Sequence, residues 1–103
     1  MLMVNIINQL FEIEQKLAFK SEPIAERNFK RIYFELENLG YKIINPVDRS
    51  YKETDSDIEA SLSGDLKGEL KVTRVLKPII YCTDEHHTTK LVQKGIVIVE
   101  GTK

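Results

Sequence analysis

The 103 residues carry 15 Lys and Arg against 16 Asp and Glu, a formal net charge of -1 at pH 7. That balance removes the general electrostatic drive for binding a phosphate backbone, so nucleic acid is not an expected partner. The length allows one domain, or one helical unit with one small appended module, and a hydrophobic share of 42% gives a modest core that a second copy would enlarge.

Near the N-terminus, Asn5, Asn8, Gln9 and Glu12 interrupt the apolar run too early for a signal peptide or a membrane span. Cys82 is the single cysteine, which excludes an internal disulfide and fits a reducing compartment. A soluble, cytoplasmic chain with no membrane association is expected.

Residues 3–20 read as a first helix. Met3, Ile6, Leu10, Ile13 and Leu17 recur at spacings of three and four, the pattern of a heptad seam, and Val4, Ile7, Phe11 and Ala18 form a second stripe beside it. An apolar face this wide suits a bundle of about four helices better than a two-stranded coil. A short connection then leads to a second helix. Ser21 is placed to cap it, Glu22 complements the positive end of its dipole, and Pro23 suits a first turn. Ala25, Phe29, Ile32, Leu36 and Leu39 mark its apolar face, Tyr33 widens it, and Gly40 ends it. Two helices cannot fill a bundle, so an antiparallel hairpin pairing with a second copy is expected. Ile6, Leu10, Ile13, Leu17, Phe29, Ile32 and Leu36 would be its dimerisation residues. The plainer alternative is that both faces pack on the chain's own sheet.

Beyond Gly40 the pattern becomes strand-like. Residues 41–44 form a short extended segment stopped by Asn45-Pro46, and residues 48–57 read as a polar surface loop. Residues 58–62 predict a short strand and Ser63-Gly64-Asp65 a turn. Residues 69–82 predict one long strand in which Pro78 needs an edge or a bulge, and residues 89–100 a last strand. The unbroken run Ile96-Val97-Ile98-Val99 suggests burial on both faces. The expected fold is α+β: a helical hairpin over residues 1–40 forming a dimeric four-helix bundle, followed by a small antiparallel β-domain over residues 41–103.

Several short stretches, in this order, resemble one family. Phe34-Glu35-Leu36-Glu37-Asn38-Leu39-Gly40 looks like the leucine-rich close of a bundle helix, and Ile43-Ile44-Asn45-Pro46-Val47-Asp48 like a strand with its turn. Tyr51 followed by Ile58-Glu59-Ala60 resembles an aromatic residue before D-P-x-x-H-E-A. By position, Val75-Leu76-Lys77-Pro78 resembles V-L-Q-K-G-Y and Lys90-Leu91-Val92-Gln93-Lys94-Gly95-Ile96-Val97-Ile98-Val99 resembles R-V-L-R-P-A-M-V-V-V, although Arg74-Val75-Leu76-Lys77-Pro78 looks more like the second motif and Leu91-Val92-Gln93-Lys94-Gly95-Ile96 more like the first. Together they resemble GrpE, the nucleotide exchange factor of DnaK-type chaperones, over almost the whole chain. In place of the family's residues stand Ile58 for the histidine, Gln93 for the second arginine and Lys94 for the proline.

That resemblance implies a non-enzymatic co-chaperone without a cofactor. Its β-domain would bind the chaperone's nucleotide-binding domain and favour an open cleft that releases ADP. Arg74, Lys77, Lys90, Gln93 and Lys94 would be the partner-binding residues, with Lys30, Arg31 and Glu35 as further helix positions. Solvated surface charge is the plain alternative for each, and Arg31 and Glu35 have the spacing of a helix ion pair. A second implied possibility is a GrpE-derived interaction module that has kept the fold without exchange activity.

Other chemistry reads more weakly. Cys82-Thr83-Asp84-Glu85-His86-His87 holds zinc-ligand types at a spacing that does not converge on one ion. Asp55, Asp57 and Glu59 open like a calcium loop, but Ala60 and Leu66 stand where glycine and a carboxylate are needed. Asp57 with Glu69 and Lys71 resembles a metal-dependent nuclease pattern, to which Glu12 or Glu14 could add a carboxylate, but the helix expected after that strand is missing from the pattern.

Overall fold

A computed structural model describes residues 2–19 and 25–103. Ser21, Glu22 and Pro23, the predicted start of the second helix, lie outside the described residues. Two helices, α1 (Leu2–Phe19) and α2 (Glu26–Asn38), precede six strands: β1 (Tyr41–Ile44), β2 (Ile58–Leu62), β3 (Leu70–Lys77), β4 (Ile79–Thr83), β5 (Thr89–Gln93) and β6 (Gly95–Gly101). The α+β expectation holds at this level. No described helix is long and apolar enough to cross a membrane.

Both ends of α2 involve left-handed backbone. Ala25 is the N-cap, with φ 64° and no side-chain cap, so it belongs to the turn before the helix and not to the apolar face predicted for it. Its carbonyl accepts the Phe29 N–H at 3.0 Å. At the other end Gly40 adopts φ +96° and begins the change to strand, as its sequence position predicts.

The strands form two three-stranded sheets, ordered β1-β4-β5 and β2-β6-β3. Each long strand expected from sequence is broken in two. The first divides at Pro78 and the second at Lys94, and at each break the chain moves from one sheet to the other. The sheets are also not wholly antiparallel: β2 runs parallel to β6, with Ala60 opposite Val97, while β3 runs antiparallel to β6, with Val72 opposite Val99. Register shifts after Val72 and Val75 insert bulged residues into β3. Without the first bulge, Val72 and Val75, three positions apart, would point to opposite faces; with it, both join one core.

Sheet β1-β4-β5 lies between two cores because its side chains alternate. Ile44, Ile79 and Tyr81 turn toward Ile58, Val72, Val97 and Val99 of the other sheet. Tyr41, Ile43 and Ile80 turn toward the helices, where Ile80 packs with Ile7 and Leu36. The molecule is therefore layered as helices, sheet and sheet. The helix core reaches across Gly40 into the β-region.

This packing divides the predicted dimer face. On α1, Ile7 and Phe11 are buried, and Val4 packs with Met3 and Leu10 of the predicted seam against the core of Ile7, Leu36 and Ile80. Ile6 and Ile13 are 60% and 51% exposed, while Leu10 and Leu17 are half-buried. On α2, Phe29 and Leu36 are buried inside the chain and Ile32 is exposed. Tyr33 links the helices by donating to Glu14 Oε1 at 2.9 Å. Burial, reinforced by that bond and the Glu14 charge, pushes the Tyr33 phenol far above its usual range. In β6, Val97 and Val99 are buried but Ile96 and Ile98 are half-buried, so the apolar run is not covered equally on both faces.

Candidate partner-binding surface

Residues 75–78 and 91–96 meet at the sheet crossovers. Pro78 joins β3 to β4 and is buried; Lys94 joins β5 to β6. The crossovers touch. A Cβ built on Gly95 would lie 2.9 Å from Ile79 Cγ1 and 3.6 Å from the Lys77 carbonyl oxygen, so the close approach depends on the missing side chain. The Gly95 N–H also donates to the Asp57 carbonyl at 2.9 Å.

Lys77 and Lys94 stand exposed beside this junction, Lys77 as the last residue of β3 and Lys94 between β5 and β6. Arg74 is exposed on β3, toward α1. Lys90 is exposed on β5, opposite Cys82. Among the described residues none of these four cations is in an ion pair. They are free to meet acidic groups, with Lys77 and Lys94 at one junction and Arg74 and Lys90 on separate strands.

Gln93 differs from them. Its Nε2 donates to Asn8 Oδ1 and to the Pro78 carbonyl, while its Oε1 accepts from Asn8 Nδ2, all at 2.8 Å. The side chain predicted to reach a partner is thus occupied in holding α1 against the crossover. Sequence patterning gave no sign of this pairing, because its members lie 85 residues apart.

The loop beside the junction is braced by charge. Arg49 donates to both Asp57 oxygens, at 3.1 and 2.7 Å, and its Nη2 lies 3.8 Å from Asp55. The hydrogen bonds from Arg49 hold the Asp57 carboxyl below the usual carboxylate range, and the Asp57 bonds push the guanidinium pKa up. Of the other predicted residues, Arg31 and Glu35 do pair, at 3.4 Å, and Lys30 pairs with Glu26 at 3.5 Å.

The nuclease pattern finds its groups otherwise engaged. Asp57 faces Arg49, and Glu69 accepts from the Ser50 hydroxyl. Among the described residues no three His, Cys, Asp or Glu side chains gather as a metal-holding group, His86, His87 and Cys82 included. Comparisons with protein-family profiles, with curated proteins and with solved structures give no match.

Proposed function

We propose that this chain is a GrpE-like co-chaperone, which binds the nucleotide-binding domain of a DnaK-type chaperone and promotes ADP release. One observation carries the reading: the two β-region stretches on which the resemblance rests pack together at the sheet crossovers, with Lys77 and Lys94 beside them, unpaired among the described residues. Such an edge offers directional cationic contacts on a rigid support. Arg74 on β3 and Lys90 on β5 extend the contact along the two strands that lead into the junction, and Gln93 positions the junction instead of touching the partner. No cofactor enters this mechanism. The protein prefers the open state of its partner and displaces the equilibrium by that difference in affinity alone.

In this reading the helical hairpin forms a four-helix bundle with a second copy. The exposed Leu2, Ile6 and Ile13 of α1 and Ile32 of α2 are the side chains available to that seam. Phe29 and Leu36 support it from within the chain. The setting of action is the cytoplasm, where such chaperones work.

A second reading, an interaction module of the same descent without exchange activity, draws on the engagement of Gln93 by Asn8. Calorimetric titration of a DnaK-type nucleotide-binding domain separates the two. Linkage requires that ADP weaken this protein's affinity by the factor by which this protein weakens ADP binding. Binding that falls when ADP is added supports exchange. Binding indifferent to ADP supports the module, and no binding overturns the chaperone reading.

A further inference from the structure

Among the described residues the outer edge of β3 has a backbone partner at one end only, and α1 packs beside the rest. Segment 48–51 pairs with its first residues: Asp48 N–H donates to the Val72 carbonyl at 2.8 Å, Val72 N–H to Arg49 at 2.9 Å, and Tyr51 N–H to Leu70 at 2.8 Å. Toward β1 the covering segment turns away. Asp48 takes a left-handed φ of 68°, Arg49 N–H closes a turn on the Pro46 carbonyl at 3.1 Å, and the Asn45 side chain accepts from Val47 N–H at 3.1 Å. Over residues 73–77, β6 is the one strand that pairs with β3 among the described residues.

The uncovered edge faces α1 across a groove of about 1030 Å³. Buried Phe11 lies at its base, and Val47 and Leu76 line it while remaining 43% and 49% exposed. On its rim Glu12 is paired with Lys16 at 3.3 Å, which leaves Arg74 as the unpaired charge there among the described residues. An open strand edge presents N–H and C=O groups at the spacing of another extended chain; a helix has no free backbone groups to meet them. The bulges in β3 twist this edge, which disfavours long edge-to-edge pairing with an identical strand and leaves room for a short one.

We propose that the groove between α1 and β3 binds an extended peptide segment of a partner protein, added as a strand to β3, with apolar side chains toward Phe11 and Leu76 and a carboxylate toward Arg74. This site stands on the edge geometry and does not need the chaperone reading, with which it shares Arg74.

The test is amide-resolved NMR of the full chain titrated with a blocked peptide, Thr-Val-Asp-Val-Thr-Val, and with the same peptide N-methylated at alternate backbone amides. The unmodified peptide should shift the amides of residues 73–77 and of the facing turn of α1, and slow their hydrogen exchange. N-methylation should abolish both effects. Arg74→Glu, at an exposed position, should weaken binding by about tenfold while the remaining spectrum is unchanged. Three results would each overturn the proposal: no shift at millimolar peptide, equal binding of the methylated peptide, or protection of residues 73–77 that grows with protein concentration alone. The last would assign the edge to a second copy.

Discussion

The carboxamides of Asn8 and Gln93 exchange two hydrogen bonds of 2.8 Å, joining the first helix to the last hairpin, and Gln93 donates a third to the Pro78 carbonyl. Its amide hydrogens and its oxygen all have partners in a part-buried site, so removing one member strands the other. Asn8→Ala should lower unfolding stability by about 1–2 kcal/mol, and Gln93→Ala by more because Pro78 also loses a donor. Denaturant titration reads both. Unchanged midpoints would mean that α1 is not held on the crossover in solution.

The Arg49–Asp57 pair gives a dependence on acid. Because the Asp57 carboxyl is held below its ordinary value of 3.8 in the fold, the stability it supplies is present above that pH. It is lost as pH falls through the lowered folded value. Both side chains are partly exposed, so solvent screens the pair and its contribution is about 1 kcal/mol. Asp57→Asn should therefore be less stable than the parent at neutral pH, and the difference should shrink in acid. A difference constant from neutral pH to pH 2 would assign the loss to shape and not to charge.

Gly40 is fixed by two separate constraints. Its φ is +96°, and a Cβ there would lie 2.6 Å from the Thr83 carbonyl oxygen, to which the sheet leaves no slack because Thr83 N–H donates to Gly40 at 2.8 Å. Gly40→Ala should cost about 2 kcal/mol or more, from backbone strain and overpacking together. Thermal melting checks this, and a loss below about 0.5 kcal/mol would mean that the helix-to-strand junction relaxes freely.

The apolar residues of the helices separate into two classes with different outcomes. Leu36 is only 7% exposed and packs on Ile7 and Ile80, so Leu36→Asp buries an unpaired charge and should unfold the chain, at a cost of about 4 kcal/mol or more. Ile6 and Ile13 face outward. If a second copy covers them, the double change Ile6→Asp, Ile13→Asp should raise the dimer dissociation constant at least about 100-fold and leave each chain folded. Sedimentation with circular dichroism distinguishes these results, and a parent chain that is monomeric at all concentrations would remove the seam.

Local signals carried much of this fold into the sequence. Gly40 marks a boundary because a left-handed residue ends a helix, and the spacings of Ile7, Phe11, Phe29 and Leu36 place them on helix faces. How far each stripe of α1 turns inward was not local: it depends on the position of Ile80, around which Ile7 is buried while Val4 packs beside Met3 and Leu10 of the other stripe. Pro78 announced an interruption, but nothing in an apolar run says that the chain changes sheets there. At Lys94 the one cue was the following glycine, whose need for closeness to Ile79 emerges only in three dimensions. The parallel pairing of β2 with β6 and the Asn8–Gln93 tie are long-range relationships, invisible to periodicity. The exposed lysines were recognisable as surface candidates in the sequence; the meeting of Lys77 and Lys94 at the crossovers required the topology.

The most direct measurement of the central claim is stopped-flow release of labelled ADP from a DnaK-type chaperone of the same source, over a range of concentrations of this protein. Saturable acceleration is the predicted result, with Lys77→Ala and Lys94→Ala each requiring more protein for the same effect. An ADP release rate unchanged by saturating protein, beside a working exchange factor as control, would contradict it.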